Sequence, residues 1–209
     1  MKKFLLLAFV SAVVSAAVFA KETVHNLDVS VPVDWRELEP DSDYSKKKVD
    51  ENSISVDFDY SMMTVNENGF SFIFGANAGY ASTKIEKTDD RLNGLDLGLK
   101  LGWGGIPVNL ENFVLGLHAF FGFGLRTLKF SDDSADYKWT FFNTKIGADV
   151  VAIFRINDRV GINASVDLYT NLPAIATLDV DGDSKNNLYF FSCLGGIGVA
   201  PKLGVSLFF

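Results

Sequence analysis

Apolar and polar residues alternate strictly through most of this chain, which leaves little room for anything but β-strands. The clearest run is Leu95 to Trp103, where Leu95, Leu97, Leu99, Leu101 and Trp103 share one parity and Asp96, Gly98, Lys100 and Gly102 the other. A period of two places the two sets on opposite faces of a half-buried strand. Ile54 to Met62, Phe70 to Tyr80, Phe113 to Leu125, Phe142 to Phe154 and Val160 to Leu168 repeat the pattern. No stretch shows a helical period, and the Val, Ile, Phe and Tyr content suits strands.

The breaks are of two kinds. Asn66-Glu67-Asn68-Gly69 and Asn157-Asp158-Arg159 have tight-turn chemistry, and Gly104 to Asn112, with Pro107, reads as a longer turn. Glu37 to Asn52, Lys87 to Asn93, Ser131 to Asp136 and Asp179 to Asn187 read as polar loops. Short and long connections alternate, as in outer-membrane barrels with short periplasmic turns and longer outside loops. An even strand count needs a first strand near residues 26–35. Leu27, Val29, Val31, Val33 and Trp35 supply its apolar face, although Pro32 donates no ladder hydrogen bond. Parity never slips from Tyr189 to Phe209, so residues 187–209 read as one long strand. A hairpin turn at Gly195-Gly196 or Pro201 is the alternative. The total is about eight antiparallel strands in an all-β, up-and-down barrel.

The N-terminus departs from this pattern. Lys2 and Lys3 precede an apolar run from Phe4 to about Val14, and Val18-Phe19-Ala20 fits a small-residue cleavage site. Residues 1–20 read as a signal peptide and 21–209 as a single barrel domain. Cleavage removes two of the 19 Lys and Arg and none of the 26 Asp and Glu, taking the net charge from −7 to −9. Such an acidic surface argues against a nucleic-acid partner. The single cysteine, Cys193, lies on the apolar parity and has no disulfide partner, so an exported fold must be held by its hydrogen-bond ladder.

Alternation alone also fits a soluble lipocalin-like binding barrel. Three features favour a membrane. The polar parity is rich in glycine, as a narrow lumen would require. The apolar parity carries aromatics near strand ends, among them Tyr60, Phe70, Phe72, Tyr80, Trp103, Phe113, Phe142 and Phe154, which suit interfacial girdles. The chain also ends Leu203-Gly204-Val205-Ser206-Leu207-Phe208-Phe209. That ending is similar to the C-terminal assembly signal of bacterial outer-membrane proteins, matched at Leu203, Val205, Leu207 and Phe209. The whole mature chain resembles the small eight-stranded barrels of the OmpX, OmpW and OmpA-membrane-domain type. The resemblance implies an outer-membrane location, membrane lipids as partners, and insertion by the barrel-assembly machinery. It names no surface ligand.

The polar residues offer little for catalysis. His25 and His118 are the only histidines, and the His-x-Ser-Asn pattern of the barrel lipid A deacylases is absent, because Ala119-Phe120-Phe121 follows His118. The chain reads as a non-enzyme without a cofactor. Asp179-Val180-Asp181-Gly182-Asp183 lacks the calcium-loop glycine, with Ser184 in its place, and the final glutamate, with Phe190 there. It reads as a solvated turn. Asp57, Asp59, Asp96, Lys100, His118, Arg126, Lys145, Asp149 and Asp167, with Lys202, fall on the inward parity. Charges in a narrow lumen must pair. The expected result is a lumen filled by a polar network, in a protein with a structural or surface-interaction role. A narrow channel or carrier for small solutes or small hydrophobic molecules is the alternative.

Overall fold

The computed structural model describes residues 22–40, 49–85, 91–131, 136–172, 174–180 and 188–209. The expected signal peptide, residues 1–20, and Asp181 to Asp183 lie outside the described residues, as does the side chain of Cys193. Ten strands form one antiparallel sheet: β1 (Glu22–Ser30), β2 (Val33–Pro40), β3 (Val49–Val65), β4 (Phe70–Ile85), β5 (Arg91–Asn109), β6 (Phe113–Ser131), β7 (Asp136–Arg155), β8 (Val160–Asn171), β9 (Ala174–Val180) and β10 (Leu188–Phe208). β1 and β2 are two halves of one stave, and so are β8 and β9. Each half pairs with the same two neighbours as its companion. β10, the last stave, joins the β8–β9 stave to the first, and the result is a closed eight-strand antiparallel barrel.

The first stave is longer than residues 26–35 and breaks at Val31-Pro32, because Pro32 has no N–H for the ladder. The last stave is a single strand. Gly195, with φ of 115°, absorbs a register shift between Cys193 and Gly195 that other residues would resist. Its Pro201 is tolerated because it still accepts from Val31 N–H at 3.0 Å.

The expected loops prove shorter, since strand pairing continues into them. β2 runs to Pro40, β3 starts at Val49, β5 starts at Arg91 and β9 ends at Val180. The expected turn from Gly104 to Asn112 shrinks to residues 110–112. β5 continues to Asn109 through a bulge between Gly105 and Val108 that accommodates Pro107. The tight turns behave as their chemistry demands. Gly69 takes φ of 77°, and the Asn157 carboxamide oxygen accepts from Arg159 and Val160 N–H at 2.9 and 3.0 Å.

The barrel is apolar outside and polar within. Phe58 is 73% exposed and Leu203 68%, whereas Arg126 is 0%. A soluble lipocalin-like barrel would show the reverse, so that alternative does not fit. Leu95, Leu97 and Leu99 face out, as do Tyr80, Trp103, Phe142 and Phe154. On β4 the outward aromatics run from Phe70 to Tyr80. At ~3.4 Å per residue and a tilt of ~40°, that covers roughly 26 Å of height, matching the ~25 Å apolar band of membrane barrels.

Candidate functional site: the barrel interior

Inward side chains stack in layers between the turn end, which holds Glu22 and Phe209, and the loop end. Closest to the turns is an apolar layer that includes Val24, Met63, Val114, Val151, Ile153 and Phe208. Glu22 and Arg155 pair beside it at 2.7 and 2.9 Å, with the guanidinium 4.1 Å from the Phe208 ring centroid. Above comes a neutral polar layer. Asn26 donates to Ser61 at 3.2 Å, Ser206 to Asn26 at 2.6 Å, and Asn163 to Ser206 at 3.0 Å. His118 Nε2 lies 2.9 Å from Ser71 Oγ, both buried.

The middle of the barrel holds one connected ion network. Lys100 pairs with Asp149 and, at 2.9 Å, with Asp167. Lys202 pairs with Asp167 at 3.0 Å and with Asp59 at 2.8 Å, and Ser30 donates to Asp59. Asp57 accepts from Asn77 at 2.7 Å. Lys145 sits 4.3 Å from the Tyr169 ring centroid and Lys100 5.2 Å from that of Phe120, so both cations rest on aromatic faces. Gly75, Gly98 and Gly122 contribute no side chain here. They leave a cavity of about 50 Å³ among Asp57, Lys100, Phe120 and Tyr169. At ~10–15 Å³ per water centre, it accommodates a few waters.

Toward the loop end a second network centres on Arg126. Its Nε donates to Asp96 at 3.0 Å, Nη2 to Asp34 at 3.0 Å, and Nη1 to Ser53. Arg36 pairs with Asp34 at 3.3 Å, approaches Glu51 at 3.8 Å and donates to Asn143. The Tyr169 hydroxyl donates to Asp34 at 2.8 Å. Leu92, Leu128 and Phe141 are buried beyond this layer. Removing one member of such a network strands the others, so each cation here is costly to lose.

Asp57, Asp59, Asp96, Lys100, His118, Arg126, Lys145, Asp149 and Asp167 all therefore occupy the interior. Asp59, Lys100, Asp149 and Asp167 share one network and Asp96 and Arg126 the other, while Asp57 bonds to Asn77, Lys145 rests on Tyr169 and His118 sits with Ser71. Asp34, Arg36 and Glu51 complete the Arg126 network and were not among the expected residues. Asp34 had the inward parity of the first strand, but Arg36 and Glu51 sat at the margins of an expected loop. The inner apolar layer also lacked a signal. Doublets such as Met62-Met63, Val150-Val151 and Phe208-Phe209 put an apolar residue on each face, and alternation cannot register that. At the C-terminus, Leu203, Val205 and Phe209 are exposed outward and Leu207 is half-buried. Thr23 and Phe209 exchange both backbone hydrogen bonds, at 3.0 and 2.9 Å, which seals the closing seam.

An all-β closed barrel with an apolar exterior and a charged interior defines the class: this is the fold of the small outer-membrane barrels. No family model and no curated protein matches the sequence. The chain is similar to the outer membrane protein OprG from Pseudomonas aeruginosa, with a TM-score of 0.63 and 11% identity over 91% of this chain and 96% of that one. It is also similar to the outer membrane protease OmpT from Escherichia coli, with a TM-score of 0.50 and 8% identity over 91% and 97%. At these identities the likeness establishes the fold alone.

Proposed function

We propose that the chain is a bacterial outer-membrane barrel, exported by its signal peptide, whose lumen is closed and whose role is structural or in surface interaction. One observation carries this reading. Among the described residues, the inward side chains form an apolar layer, a neutral polar layer and two ion networks, and the cavity beside Asp57, Lys100, Phe120 and Tyr169 holds about 50 Å³. The turn end faces the periplasm and the loop end the cell exterior, as in other barrels with short periplasmic turns. Membrane lipids surround the belt, and the barrel-assembly machinery reads Leu203, Val205, Leu207 and Phe209 during insertion. On this reading the barrel is not an enzyme, which the burial of the His118–Ser71 pair supports. The test is a planar-bilayer recording of the refolded barrel. The expected trace has no steady current, and a stable single-channel conductance would overturn the closed lumen.

A second reading, a carrier for small hydrophobic molecules, draws on the seam between the first and last staves. Pro201 donates nothing to Val31, Pro32 donates nothing to β3, and Pro32 and Ala200 both line the cavity. On this reading, dye entry into barrel-containing vesicles slows when Pro201→Val restores the missing donor. An unchanged rate argues against it.

A further inference from the structure

The outward face of β4 to β7 changes chemistry in ordered steps toward the loop end. Tyr80, Leu95 and Phe142 close the apolar belt, all well exposed. One outward position further along come Ser82, Asn93, Thr127 and Thr140, a row of hydroxyls and an amide. At the next position stand Lys84, Arg91, Lys129 and Lys138, all exposed. Lys84 lies four residues beyond Tyr80. That is about 10 Å above the belt at the same rise and tilt, and so at headgroup height.

The register sharpens the picture. Lys84 is directly opposite Arg91, and Lys129 directly opposite Lys138. Asn93 is opposite Lys129, so Arg91 and Lys129 are diagonal neighbours. None of the four forms an ion pair with another described residue. Asp179 faces Lys138 in register and tempers it, which leaves Lys84, Arg91 and Lys129 as the strongest positive cluster. Like charges placed directly across a strand pair destabilise a sheet. Two such pairs stand side by side in an acidic protein and concentrate positive charge where an anion would relieve their repulsion. On β2 and β3 the charge is reversed, with Glu37 directly opposite Asp50.

We infer that β4 to β7 form a binding surface for the phosphate groups of an outer-leaflet lipid. The inference rests on the membrane-spanning reading. Lys84, Arg91 and Lys129 hold the phosphates, with the Arg91 fork suited to two of their oxygens. Ser82, Asn93 and Thr127 meet the polar linkage, and Tyr80, Leu95 and Phe142 pack against the acyl chains. The order of the three rows is the order of groups in such an amphiphile.

The test titrates the mature barrel, in phosphatidylcholine mixed micelles, with bisphosphorylated lipid A and with its dephosphorylated form. Retention is read by native mass spectrometry. The wild type should hold the phosphorylated lipid about tenfold or more tightly than the dephosphorylated one, as expected for several cations at a membrane surface. The K84Q/R91Q/K129Q variant should lose that preference, and the charge-conserving K84R/K129R variant should keep it. Equal binding of both lipids by the wild type overturns the site, as does an unchanged preference in the triple variant. Displacement of lipid A by millimolar inorganic phosphate alone would mark a site for free phosphate and overturn the lipid assignment. The mobility shift on boiling is measured on the same samples. Its loss in the wild type sinks the barrel reading itself, whereas an intact shift with equal lipid binding overturns only the lipid site.

Discussion

A single charge distinguishes the two faces of this barrel, because its cost depends on depth and direction. Leu99 is 54% exposed, midway between Leu95 and Trp103 on the outward face of β5. Leu99→Arg places a cation near mid-bilayer and should cost roughly 2–4 kcal/mol in urea unfolding from vesicles. Ser82→Arg adds the same charge near the interface and should cost at most about 1 kcal/mol. Equal losses would mean that Leu99 does not lie in hydrocarbon. Inside, Arg126 is the side chain with most depending on it, since Asp34, Asp96 and Glu51 all approach its guanidinium. Arg126→Leu leaves those carboxylates without their shared cation and should lower stability by about 3–5 kcal/mol. A loss under 1 kcal/mol would show that water or Arg36 compensates.

Individual strands bear different burdens. β10 is the closing strand, paired with β1 and β2 on one side and with β8 and β9 on the other. Its last residue, Phe209, is 76% exposed and packs edge-on against His25 at 5.0 Å. It is held to β1 through backbone bonds that need no particular side chain. Deleting Phe209 should therefore sharply reduce the amount of inserted barrel in cells, while barrel refolded in vitro keeps most of its stability. Equal losses in both assays would make Phe209 a structural residue rather than an assembly signal. Strand positions were legible because alternation is a local property of sequence. Strand ends were not. Glu37, Arg91 and Asp179 look like loop residues, yet pairing with a neighbouring strand carried the ladder past them. Local composition cannot report whether a partner strand is there to accept the next hydrogen bond.

At the scale of the molecule, the barrel should fractionate with outer membranes and migrate faster before boiling than after. Recovery of native protein from the soluble periplasm would contradict that. The sequence by itself determined the strand class, the approximate strand count, the face each side chain takes and the contrast between polar interior and apolar exterior. Each of these follows from a period-two backbone in which parity fixes direction. Tertiary structure decided which inward residues meet. Asp34, Ser53, Asp96 and Arg126 belong to four different strands, and only closure of the wall brings them into one network. It also decided that both ends of the interior carry apolar residues: doublets such as Met62-Met63 and Phe141-Phe142 give one residue to each face, while Leu92 and Leu128 turn inward between polar neighbours. Parity assigns a side chain to a face, but its neighbours across a lumen depend on barrel closure and stagger, which are set by every strand pairing together.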